Sequence, residues 1–170
     1  SSNNKALEIY NPTSAAINLT GYSLKVFNNG GTTASNTFNF PNKILAAGDV
    51  YVIGNPTTGA NAPLPAILSA SDTLYSVTFF NGDDAVVLFK NTDTLDIIGK
   101  VGFDPGTNWV VGTGATSEYT LVRKNTIQEG QNNWAVGATE WDVYAQNTAT
   151  YLGAHTQLAC TGGSTACTEL

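Results

Sequence analysis

Short runs of alternating polarity, each closed by turn residues, recur along this chain, and helical periodicity is nearly absent. From Lys5 to Tyr10, Leu7 and Ile9 share one face and Glu8 takes the other, until Pro12 ends the run. Tyr22, Leu24 and Val26 share a face after the turn at Leu19-Thr20-Gly21. Asn28-Asn29-Gly30-Gly31 is a strong turn signal, and a short strand from Thr37 to Phe40 follows it. A period of two bounded by Gly, Pro and Asn is the mark of strands, because successive strand side chains point to opposite faces. Val50 to Ile53 is apolar on both faces and therefore reads as a central strand covered on both sides. Strands are also expected at Val77 to Phe80, Ala85 to Lys90, Leu95 to Val101 and Tyr119 to Arg123. Pro65 to Ser69 is expected to form a helical turn with Pro at its start. Residues 102–117 read as a Gly-rich loop, and the polar stretch from Asn125 has Trp134, Trp141 and Tyr144 as anchors. Regularly spaced short strands with turn signals point to an all-β sandwich or barrel.

A chain of 170 residues fits one domain or one domain with a tail, and 42% hydrophobic residues suffice for a core. Charged residues make up 12%, so Asn, Thr, Ser and Gly must supply the polar surface. The net charge is −6, and among the seven basic residues only Arg123 and Lys124 are adjacent. Nucleic-acid binding draws on clustered Lys and Arg, so neither unaided DNA binding nor docking to an anionic membrane is expected. No apolar run reaches the length of a membrane span. The start Ser1-Ser2-Asn3 reads as processed or trimmed, with any export signal upstream of it.

Chemistry-bearing residues are sparse. His155 is the sole histidine and lacks marked partners for a triad, so a structural hydrogen-bonding role is expected. Carboxylates gather at Asp83-Asp84, at Asp93 and Asp96, and at Glu140 and Asp142. For Asn81 to Asp84 the expected role is turn capping, with calcium binding and glycosidase-type catalysis as the alternatives. Trp109, Trp134 and Trp141 are each a core or rim residue or else a sugar-stacking platform. Cys160 and Cys167, in a tail of Thr, Gly, Ser and Ala, are expected to form a disulfide, with free thiols, a metal site or a redox pair as alternatives. No cofactor, metal site or catalytic set is expected.

Several segments together resemble the lamin tail domain family in its secreted bacterial form. They are residues 2–11, Leu19-Thr20-Gly21-Tyr22-Ser23-Leu24, Leu45 through Ile53 around Gly48-Asp49, and Phe80 through Val86. Asp96-Ile97-Ile98-Gly99, Thr120 through Lys124, Glu140-Trp141-Asp142 and Leu152 through Thr156 follow in the same order. The resemblance covers about residues 2–156 and implies an immunoglobulin-like β-sandwich of mostly antiparallel strands. It leaves 157–170, with both cysteines, as a C-terminal tail or linker. It implies a non-catalytic interaction or spacer module of a larger secreted or cell-surface protein, such as an extracellular nuclease or phosphatase. A carbohydrate-binding module is the alternative. The expected partner is a protein or the cell surface. Members of the family usually carry a strand before the Ser2-Asn3-Asn4 turn, and this sequence begins at that turn. Lys5 to Tyr10 is therefore expected to be an exposed edge that invites an edge-strand dimer or a swapped segment.

Overall fold

The computed structural model describes residues 3–158. In chain order the elements are β1 (Ala6–Tyr10), β2 (Ile17–Asn18), β3 (Tyr22–Phe27), β4 (Asn36–Asn39), β5 (Ile44–Leu45) and β6 (Val50–Gly54). They continue with α1 (Pro65–Ala70), β7 (Thr73–Leu74), β8 (Ala85–Lys90), β9 (Asp93–Ile98), β10 (Val110–Val111) and β11 (Gly114–Ala115). The last are β12 (Tyr119–Arg123), α2 (Trp134–Gly137) and β13 (Trp141–Ala145).

Two sheets form the body. One has the order β4-β3-β8-β9 and the other β1-β6-β7. All pairings are antiparallel except β6 with β7. Between the sheets lies an apolar core. Leu24, Val26, Phe38 and Val86 come from the first sheet, and Tyr51 and Ile53 from the second. The architecture is an immunoglobulin-like β-sandwich, with alternating inward residues of both layers filling the interior. The four-stranded sheet is covered on its other face too, where Phe27, Ala85, Val87 and Ile97 pack with Trp134.

β6 is central and buried throughout its length, as its continuous apolar run predicts. α1 starts on Pro65, where the missing N–H would have had no helical partner. The expected strand at Val77 to Phe80 is instead a single 3₁₀ turn, Ser76–Thr78. Val77 and Thr78 are wholly buried there, while Phe79 is about half exposed, so strict alternation is lost and local turn bonds win. β9 begins at Asp93 and ends at Ile98, before Gly99 at φ +83°. The 102–117 stretch is not wholly loop: β10 and β11 form a small hairpin within it. The polar stretch from Asn125 likewise holds α2 and β13, and β13 pairs with β12 from Tyr119↔Ala145 to Arg123↔Trp141.

Candidate functional site

The second sheet stops at β1. Asn55 N–H donates to Lys5 C=O, and Asn11 N–H donates to the Asp49 carbonyl, both in the register that pairs Leu7 with Ile53. In an antiparallel ladder the hydrogen-bonded pairs alternate. Lys5, Leu7, Ile9 and Asn11 therefore turn their backbone groups to β6. The N–H and C=O groups of Ala6, Glu8 and Tyr10 point the opposite way, and among the described residues they meet no partner.

The β12–β13 hairpin has a matching edge. Lys124 N–H donates to the Glu140 carbonyl, which fixes the bonded positions at 124, 122 and 120. The backbone groups of Tyr119, Leu121 and Arg123 face away from β13 and are likewise unpaired among the described residues.

Both edges border one cavity of about 680 Å³. Its floor is the inner face of the four-stranded sheet, where Leu24, Val86, Leu88 and Leu95 lie. Residues 146–157 pass over it as a strap. Asn4 Nδ2 donates to Asn147 Oδ1 (2.8 Å), and Gly153 N–H donates to the Glu8 carboxylate (2.6 Å). The ring of His155 meets Tyr10 edge-on at 4.8 Å. Gln157 then bonds the Ile127 carbonyl, and Leu158 N–H bonds that of Asn125.

One cation fastens the hairpin to the sandwich. Arg123 forms ion pairs with Asp96 of β9 and with Glu140, and its guanidinium lies 4.2 Å from the Trp141 ring. Arg123 is nearly buried, so both charges must be matched where they lie. Burial shifts three groups around the cavity. It pulls Lys5 below its ordinary value, against the opposing charges of Asp84 and Glu118. It pushes Glu8 up, against the Gly153 N–H. It pulls His155 down, and the Arg123 charge adds to the effect.

The residues singled out by sequence do not converge. Asp84 is buried and its carboxylate accepts from Asn29 N–H (2.9 Å) and Asn81 N–H (2.6 Å), which is turn capping. Among the described residues, no three His, Cys, Asp or Glu side chains gather as a metal site. Trp109 is buried against Trp134 at an interplanar angle of 78°, so the two rings offer no coplanar platform. Trp141 lies beneath Arg123. Cys160 and Cys167 fall outside the described residues. Sequence reasoning missed Arg123 as the clamp and 146–157 as the strap. The alternation of Trp141 and Val143 with Asp142 and Tyr144 was the available sign of β13.

Compared with known proteins, residues 1–105 match the family model described as Lamin Tail Domain. No curated protein matches the chain. The matched region takes in both sheets of the sandwich and ends before β10, so the β12–β13 hairpin lies beyond it.

Proposed function

The chain belongs to the lamin tail domain family, and from that membership we propose that it is a non-catalytic interaction module of a larger secreted bacterial protein. The family is a generally non-catalytic, immunoglobulin-like interaction domain. The observation that supports this reading most is how the reactive side chain types are spent. Asp84 caps two turns, Asp96 and Glu140 neutralise Arg123, Glu8 holds the strap, and His155 packs on Tyr10. Each is tied to a structural partner instead of converging on a reacting centre. The partner is a protein or the cell surface, and the parent is an extracellular hydrolase such as a nuclease or phosphatase, whose active site resides in another domain.

The test is turnover by the purified 170-residue chain on DNA and on phosphate esters, with and without magnesium or calcium. No hydrolysis is expected, and no DNA retention in a gel shift at physiological salt, given the net charge of −6. Hydrolysis that survives repurification and disappears in a folded Asp83→Asn variant would overturn the reading. Asp83 serves better than Asp84 here, because Asp84 caps two backbone N–H groups and its loss would disturb the fold.

A further inference from the structure

Of the chain's seven tyrosines, two meet ring to ring among the described residues: Tyr144 of β13 and Tyr151 of the strap. Their ring centroids are 4.4 Å apart and their planes are tilted by 36°. The phenol ends lie together as well, because a hydrogen bond with Tyr151 is the chief cause that lifts the Tyr144 pKa above its ordinary value. The carbons flanking each phenol oxygen are therefore neighbours across the pair. Tyr151 is exposed and Tyr144 half-buried, so reagents in solution reach both. The contact is built locally: Thr148 N–H donates to the Ala145 carbonyl and Leu152 N–H to that of Ala149, which turns the chain back on itself.

Other electron-rich side chains are guarded. The chain has no methionine, whose thioether is a common sink for oxidants. Trp141 lies under the Arg123 guanidinium, Tyr51 under Lys43 and Tyr22 under Lys90. A cation over a ring face is attracted by the same electrons that an oxidant must remove, so it makes that ring harder to oxidise. Trp109 is buried. Tyr75 and Tyr119 are exposed, but neither meets a second tyrosine ring among the described residues.

We propose that Tyr144 and Tyr151 are a site of oxidative cross-linking, joined as dityrosine by a peroxidase-type one-electron oxidant that draws on hydrogen peroxide. Each phenol gives up one electron and one proton and becomes a phenoxyl radical. The two radicals combine, forming one carbon–carbon bond between carbons that flank the phenol oxygens. Each ring then regains its aromaticity as the hydrogen on the bonded carbon moves to the oxygen. Hydrogen peroxide takes up the two electrons and two protons and leaves as two waters. The new bond closes the chain between Tyr144 and Tyr151 and fastens the strap to the β12–β13 hairpin. It stands apart from the interaction-module reading, which neither requires it nor fails with it.

The experiment exposes the dilute full chain to a peroxidase and hydrogen peroxide. Mass is read under reductant, so that a disulfide between Cys160 and Cys167 is not counted. The expected product is a monomer lighter by two hydrogens that shows dityrosine fluorescence, with the loss assigned to Tyr144 and Tyr151 by tandem mass spectrometry. Tyr144→Phe and Tyr151→Phe each keep both rings and lose the product. In the joined chain the Thr148 N–H exchanges about tenfold more slowly, since closing a short loop removes its open states. The proposal fails if the monomer keeps its mass, if oxygen is added at tryptophan instead, or if covalent dimers through Tyr75 or Tyr119 are the main product. It fails as well if either Phe variant still loses two hydrogens, or if Thr148 exchanges equally fast in the joined and unjoined chains.

Discussion

Asn11 shows how one polar side chain can hold two segments together. It is almost fully buried, and its Nδ2 donates to the carbonyls of Ala15, Leu45 and Ala46 while its Oδ1 accepts from Thr13. Replacing it strands several buried carbonyls, so Asn11→Ala is expected to lower unfolding stability by about 3 kcal/mol in urea titration. Gly99 is constrained twice. Its φ is +83°, and a Cβ there would come within 2.7 Å of the Trp109 indole nitrogen, so Gly99→Ala should cost about 2 kcal/mol or more. His155 carries a pH signature. Its folded pKa lies below the ordinary histidine value, so its stabilising contribution is complete above about pH 6.5 and is lost as pH falls through the folded value. Glu8 acts in the opposite sense, because its folded pKa is raised: its contribution is present in acid and is lost as pH rises through that value. Melting temperatures from about pH 7.5 down to about pH 5.5 should therefore fall more steeply for the native chain than for His155→Gln. Equal slopes would show that the Tyr10–His155 contact does not sense protonation. The sequence marked His155 as a structural residue but gave no sign that Tyr10 would receive it, since 145 positions separate the two.

At the scale of elements, the strands of the four-stranded sheet were readable because β3 alternates in polarity, β8 is a short apolar run, and turn residues such as Asn28, Pro41, Asn91 and Gly99 follow the strands. The same logic erred at Val77 to Phe80, where β-branched residues are buried by a turn and not by a ladder. It also passed over β10, β11 and β13, which are short or set among polar residues, so their pairing depends on distant partners that no local pattern reveals. The β12–β13 hairpin illustrates the point: its attachment rests on Arg123 reaching Asp96 and Glu140. Removing one charge from such a cluster leaves the others buried without compensation. Arg123→Gln is expected to cost about 3 kcal/mol and to raise amide exchange in β12 and β13 before β3 and β8. Uniform loss of protection in all four strands would mean that the hairpin and sandwich unfold as one unit.

For the whole molecule, sequence alone conveyed the sandwich and the family. The candidate site was less legible, because an unpaired edge is a property of topology and not of composition. Only the expectation of an exposed edge at Lys5 to Tyr10 pointed toward it; among the described residues the strand paired with β1 is β6. What the sequence did not convey is that a second open edge, β12, faces the same apolar cavity. Together the two edges border that cavity with backbone groups that have no partner among the described residues. Residue-resolved amide exchange on the isolated monomer tests this most directly. The account predicts alternation along β1: slow exchange at Leu7 and Ile9, whose N–H groups bond to β6, and fast exchange at Ala6, Glu8 and Tyr10, with the same alternation along β12. Uniformly slow exchange through β1 and β12 would show that both edges are already paired, and would contradict the account.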